Sequence, residues 1–158
     1  FVAYSDTLEL INSKPLSILD LGSGPGYFSF VCKNLSHEVR ALDLPDNLIY
    51  KELFKLFKIQ RREESINAFE KIEPFDIKFD LVTAFAICFN MHATDELWGV
   101  EQWKFFLKDL QESHLKPNAR VFLEFNQEPD GSFFSKEIAE YFLELGAVIE
   151  GRTVSINF

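Results

Sequence analysis

The residue types most able to do chemistry are concentrated in one run, Ile18-Leu19-Asp20-Leu21-Gly22-Ser23-Gly24-Pro25-Gly26-Tyr27-Phe28. A short apolar stretch leads straight into three glycines at alternating positions and then into residues that suit a helix. Glycine lets the backbone turn tightly and lets a ligand approach without meeting a Cβ. A plain turn between strand and helix needs neither three glycines nor an acid at the strand end, so the run reads as a ligand site. Its spacing narrows the ligand. A dinucleotide fingerprint is G-x-G-x-x-G, with the pyrophosphate at the helix N-terminus. Here the pattern is G-x-G-x-G, and Tyr27 stands where the third glycine of the fingerprint would be. Asp20 would set a negative charge beside any phosphate, which penalises an anion and favours a ligand carrying a cationic group.

A second acid lies 21 residues beyond Gly22. Asp43 ends the apolar run Val39-Arg40-Ala41-Leu42, where nucleotide-binding α/β folds place a carboxylate that accepts ribose hydroxyls. Taken alone, Asp43 reads equally as a loop carboxylate beside Pro45-Asp46-Asn47. Paired with the glycine loop, the ribose reading is the stronger.

These residues need a sheet edge to bring them together, and the order of elements supplies one. Asp6 is expected to cap a short helix, with Glu9 reaching back, and Pro15 ends it. Strands are expected over Leu16–Leu21, Val39–Asp43, Ile59–Ile66, the first half of Phe79–Phe89, Arg120–Phe125 and the tail Ala147–Phe158, the last turning at Gly151-Arg152. Helices are expected over Tyr27–Leu35, Leu48–Phe57 and Val100–Leu115, and after Ser135, which would cap a helix closed by Gly146. Pro117-Asn118 is expected to turn the chain into the Arg120 strand. Alternation of this kind predicts an α/β fold, a doubly wound, mostly parallel sheet with helices on both faces.

The whole chain supports one domain over residues 1–158. Apolar types make up 47% and charged types 26% of 158 residues, enough to bury a core without staples. No run is long and apolar enough for a membrane span. Eighteen Phe against one Met imply a core filled by aromatic rings. The net charge of −9 is the wrong sign for tracking a phosphate backbone, so nucleic acid is not expected as a partner. Cys32 and Cys88 lie far apart, and with three scattered His there is no metal-ligand spacing; both thiols are expected to be reduced and largely buried, and the protein cytoplasmic. The chain starts at Phe1 rather than Met, and it is expected to be a piece of something longer.

Residues Ile18 to Gly26 resemble the first motif of the class I S-adenosylmethionine-dependent methyltransferases nearly letter for letter. Asp43, Phe79-Asp80-Leu81-Val82-Thr83-Ala84 and Leu115-Lys116-Pro117-Asn118-Ala119-Arg120-Val121-Phe122-Leu123 are similar to further family segments in the right order, with Asn118 and Ala119 in place of two glycines. The resemblance implies a Rossmann-like sheet of seven strands with one antiparallel strand near the C-terminal edge. It implies S-adenosyl-L-methionine as cofactor and S-adenosyl-L-homocysteine as product. Gly22, Ser23, Gly24 and Gly26, with Tyr27 and Phe28 opening the helix, would line the cofactor, and Asp20 would sit near its amino group. Asp43 and Leu44 would hold the ribose and flank adenine, and Ser65, Ile66 and Asn67 would meet the adenine edge. Ala84 and Phe85 would approach the sulfonium. The family's lids often precede the first strand, where seventeen residues stand before Ile18, so an N-terminal lid is expected to be missing.

Methyl transfer is an in-line displacement that needs alignment and exclusion of water, and a base only where the acceptor holds its proton tightly. The stretch Phe85 to His92 would face the acceptor, which the acidic composition suggests is a small molecule. His92 is the candidate base, with a loop histidine beside Thr94-Asp95-Glu96 an equal alternative. Asn90 either orients an acceptor or bonds to its own loop. Cys88 reads as core, Trp98 as a wall of the acceptor pocket, and Arg61-Arg62 as a solvated strand end. The leading reading is a small-molecule methyltransferase. Its alternatives are a catalytically silent methyltransferase-like partner module and, less favoured, a nicotinamide-dependent oxidoreductase.

Overall fold

A strand buried on both faces can carry apolar residues at every position, and Ser17–Leu21 (β1) does: all five residues are buried. The computed structural model describes every residue except residue 46, and Asp46, expected in a turn, lies outside the described residues. Helices are Val2–Thr7 (α1), Tyr27–Asn34 (α2), Leu48–Phe57 (α3), Val100–Asp109 (α4) and Lys136–Glu144 (α5). After β1 come the strands Glu38–Asp43 (β2), Gln60–Glu63 (β3), Phe79–Ile87 (β4), Leu115–Phe125 (β5), Val148–Glu150 (β6) and Thr153–Asn157 (β7). Among the described residues they form one seven-stranded sheet in the order β3-β2-β1-β4-β5-β7-β6. β7 is antiparallel to both β5 and β6, and the pairings from β3 across to β5 are parallel. The expected doubly wound sheet, with one antiparallel strand near the C-terminal edge, is the sheet observed.

Side-chain alternation divides the core into two layers. On one face Ile18, Val39, Ala41, Leu81 and Phe122 pack with Leu8, Phe28, Cys32 and Phe54 from the α1–α3 side. On the other, Leu19, Leu42, Val82, Val121 and Leu123 pack with Trp103, Leu107, Ile138 and Phe142 from α4 and α5. Trp103 lies 5.3 Å from both Trp98 and Phe125 and 5.7 Å from Phe142, ring centre to ring centre, so the many Phe residues do fill the core.

Several boundaries differ from expectation for local reasons. α1 is capped at Phe1 and holds Asp6 inside it, while Glu9 turns away with φ 58°. β3 is shorter than expected, since only Gln60 to Glu63 find partners on β2. The helix after Val100 widens into a π-helical turn, Leu110–His114, which buries Leu110 and His114. β5 then starts at once, at Leu115, and its pairing with β4 shifts register around Pro117-Asn118, with Asn118 left-handed at φ 61°. Ser135 caps α5 as expected, accepting from the Ile138 amide at 3.3 Å.

The α4–α5 layer depends on its rings. Phe142→Ala removes a fully buried ring, and the expected cost is about 3–5 kcal/mol, read as a lower urea midpoint with an unchanged slope. A loss below about 1 kcal/mol would mean that this layer can close around the vacancy.

Candidate functional site

The strand order makes the chain run outward from β1 through β2 to β3 and then return to β4 on the opposite side of β1. Crevices form at the carboxyl ends of strands where winding reverses in this way. A cavity of about 610 Å³ lies there, with walls from Asp20, Gly22 to Pro25 and Phe28 near β1, and from Leu42, Asp43, Leu44 and Tyr50 near β2. Glu64 to Asn67 wall it beyond β3, Phe85 and Ala86 at the end of β4, Cys88, Phe89 and Met91 just after it, and Phe1 also touches it.

The glycine loop is fastened to the end of β2. The Gly22 and Ser23 amides donate to the Leu42 carbonyl at 2.8 and 3.2 Å, and the Gly24 amide donates to Asp43 Oδ2 at 2.5 Å. The Leu44 amide donates to Asp43 Oδ1 at 2.8 Å. Three loop amides that a pyrophosphate loop would turn toward its ligand are thereby occupied. Gly22 and Gly24 adopt φ of +63° and +53°, and a Cβ at either would meet no atom within 4 Å. Between them the Ser23 hydroxyl oxygen is buried without a hydrogen-bond partner among the described residues. A carboxylate has about four acceptor positions, so Asp43 retains capacity after its two amide bonds.

Asp20 is buried behind the loop. It accepts from Ser29 Oγ at 2.6 Å and from Thr83 Oγ1 at 3.2 Å, two neutral hydroxyls. Desolvation raises its pKa from 3.8 to about 6, the Ser29 and Thr83 bonds oppose the rise, and the Asp43 charge adds to it. Burial likewise pushes the Cys32 thiol well above its ordinary value, with Asp20 contributing.

Of the residues singled out in the sequence, Asp20, Gly22, Ser23, Gly24, Phe28, Asp43, Leu44, Ile66, Asn67 and Phe85 meet on this one cavity. Gly26, Tyr27 and Ala84 do not line it. Gly26 is left-handed at φ +79°, and a Cβ there would sit 2.5 Å from the Phe54 ring, so this glycine serves packing. Tyr27 points outward at the start of α2, half exposed, and Ala84 is fully buried among the α4–α5 layer. Asn90 is buried, its backbone carbonyl accepts from the Trp98 amide, and its Oδ1 has no partner among the described residues. His92 also lies off the wall, with Nδ1 2.9 Å from Glu128 Oε1.

Other expectations are corrected by tertiary contacts. Cys88 is exposed on the cavity wall rather than in the core. Trp98 is buried behind Phe89 and does not itself line the cavity. Arg61 is not solvated: it pairs with Glu63 at 3.0 Å and donates to the Leu44 carbonyl, and Arg62 donates to the Glu73 and Pro74 carbonyls. Tyr50, Glu64 and Met91 reach the site from a helix and two loops without a motif. Asn126 stands behind the wall, where its Nδ2 donates to the Ala86 and Ile87 carbonyls at 3.0 and 3.1 Å. These bonds hold a segment in which Ala86, Met91 and Ala93 all have positive φ, a conformation costly for residues with a Cβ.

The chain matches no protein-family model and no curated protein. Solved structures do resemble it. A TehB-like S-adenosylmethionine-dependent methyltransferase from Corynebacterium glutamicum superposes with a TM-score of 0.64 at 14% identity, over 97% of this chain and 84% of that one. The fold is that of the class I S-adenosylmethionine-dependent methyltransferases. The 1,6-didemethyltoxoflavin-N1-methyltransferase of Burkholderia thailandensis, solved with 1,6-didemethyltoxoflavin and S-adenosylhomocysteine, shares this methyltransferase fold with a TM-score of 0.62 at 17% identity, over 99% and 73% of the two chains. The glycopeptide N-methyltransferase MtfA, complexed with S-adenosylhomocysteine, gives 0.58 at 15% identity over 80% of this chain. This chain spans only 52% of MtfA.

Two outcomes are expected from the site's geometry. Asp20 holds its proton more tightly folded than unfolded, so its share of stability is full below pH 3.8 and is lost as pH rises through about 6. Asp20→Asn lacks that loss, and its urea midpoint relative to the parent should rise between about pH 4 and pH 7; parallel pH profiles would exclude a raised pKa. Asn126→Ala should cost about 1–3 kcal/mol and speed amide exchange in residues 86–93 while leaving β1 protected. Uniform acceleration across the chain would show that Asn126 does not act locally.

Proposed function

We propose that residues 1–158, as a single domain, bind S-adenosylmethionine and transfer its methyl group to a small-molecule acceptor. The observation that carries this reading is the joint placement on one cavity of an unfilled glycine turn, an orphaned Ser23 hydroxyl, Asp43 and the buried Asp20. Residues of these types suit this cofactor. The bare Gly22 and Gly24 leave room for its amino-acid part, and Ser23 Oγ can bond its polar atoms. Asp20, held by hydroxyls only, gains a counter-charge from an ammonium group. Asp43 accepts two ribose hydroxyls, with Leu44 and Ile66 against adenine and Asn67 at its edge. The proposed site thus follows the strand ends from β3 to β4.

A dinucleotide fits less well, because the Gly22, Ser23 and Gly24 amides are already bonded to β2 and Asp20 repels phosphate. Two structural relatives were solved with S-adenosylhomocysteine, which supports the same assignment. When bound, S-adenosylmethionine supplies a methyl carbon attached to a positively charged sulfur. The chain's own part is to orient that carbon toward the β4 end and to keep water from it, with Phe28 and Phe85 as the apolar wall. The net charge of −9 favours a small molecule over nucleic acid as acceptor. Among the described residues no helix is long and apolar enough to cross a membrane. Cys32 and Cys88 are both free thiols, which suits the reducing cytoplasm.

Calorimetry tests the reading. S-adenosylhomocysteine should release heat on binding and NAD(H) should not, and Asp43→Ala should weaken the former by about 1–3 kcal/mol. Binding of NAD(H) in place of S-adenosylhomocysteine would overturn the proposal, and unchanged affinity in the variant would remove Asp43 from the site.

A further inference from the structure

The β4 end of the cavity differs in chemistry from the rest. The carboxylates on the wall, Asp20, Asp43 and Glu64, come from β1, β2 and the segment after β3, whereas at and just after the end of β4 the wall is Phe85, Ala86, Cys88, Phe89 and Met91. The two rings come from opposite layers of the core. Phe85 stands 4.6 Å from Phe28, 4.8 Å from Tyr4 and 5.7 Å from Phe122, ring centre to ring centre. Phe89 stands 5.3 Å from Phe106 and 5.5 Å from Trp98. Each ring is therefore wedged among others and has little freedom to move. The backbone between them is held by Asn126 through the Ala86 and Ile87 carbonyls, and four residues past Phe89 the Ala93 amide donates to Glu128 at 2.9 Å.

A rigid aromatic wall favours flat apolar partners, because rings gain from offset or edge contacts at centroid distances of about 4.5–7 Å. It disfavours anions, because a negative charge brought against ring faces loses its hydration and meets their negative quadrupole, whereas a cation is drawn to such faces. We propose that the methyl acceptor is a planar aromatic small molecule without a negative charge that enters beside Phe85, Phe89 and Met91. This rests on the cofactor reading given above. In the transfer, a lone pair on the acceptor forms the new bond to the methyl carbon. The carbon–sulfur bond breaks with its electron pair remaining on sulfur, and a proton on the acceptor atom leaves to solvent past the exposed Cys88 and Met91.

The test uses the intact chain and three probes of matched size: quinoline at a pH where it is neutral, 1-naphthoate and 1-naphthylmethylammonium. Affinities are measured by ligand-observed NMR with and without S-adenosylhomocysteine, whose own binding is followed by calorimetry. Quinoline and the ammonium probe should each bind about tenfold tighter than 1-naphthoate. Met91→Glu, a change at a partly exposed position, should weaken quinoline about tenfold and leave the ammonium probe the tighter of the two. Naphthoate binding as tightly as quinoline, or a Met91→Glu variant with unchanged affinities, overturns the inference. Failure of S-adenosylhomocysteine to bind overturns the cofactor reading instead, and the probe ranking on the free protein still decides the nature of the β4 end.

Discussion

The cavity exists because the loop after β1 is bonded to the end of β2. Leu42 contributes one carbonyl and Asp43 one carboxylate, and together they take the amides of Gly22, Ser23 and Gly24. A loop pinned in this way cannot swing over the sheet, and the positive φ angles at Gly22 and Gly24 keep side chains out of the space above it. The same bonds decide what the loop offers a ligand. Occupied amides make it a poor anion cradle, and what remains beside the loop is the Ser23 hydroxyl, the Asp20 and Asp43 carboxylates and bare backbone.

Electrostatics then divide the crevice. At β1 a buried carboxylate is held by hydroxyls, with its proton affinity raised by burial. At the end of β2, Asp43 stays partly accessible and also bonds the Leu44 amide. From the end of β4 onward the wall becomes aromatic and thioether-bearing. Groups that would carry charge are thus gathered toward β1, β2 and β3, and the one strained segment, with Ala86, Met91 and Ala93 left-handed, lies on the apolar side. Strain of this kind persists only where surrounding bonds over-determine it, and here Asn126 and Glu128 supply them from just beyond β5.

Much of this was legible in the residues themselves. β1, β2 and β4 announce themselves as apolar runs, the glycine turn by its spacing, and Asp43 by its place at a strand end. Local pattern was less reliable where tertiary contacts compete with it. Cys88 sits between Ile87 and Phe89 and so looks like core, but the end of β4 turns its side chain onto the exposed wall. Trp98 looked like a pocket wall and is instead buried behind Phe89, and Gly26 looked like part of the cradle and instead makes room for Phe54. The π-helical turn before β5 leaves no trace in hydrophobic periodicity, because its residues are apolar and polar in proportions an α-helix would also accept.

What the sequence determined alone was the alternation of elements, the glycine turn and the acids at the ends of two strands. These depend on near neighbours, on backbone conformations only glycine adopts cheaply and on burial that a run of apolar residues makes plain. Tertiary structure alone decided which side chains share the cavity. Tyr50, Glu64 and Met91 come from three separate elements, and Asn126 reaches back 40 residues to Ala86. Such meetings are set by strand order and by the packing of the two layers, and neither leaves a periodic mark on the chain.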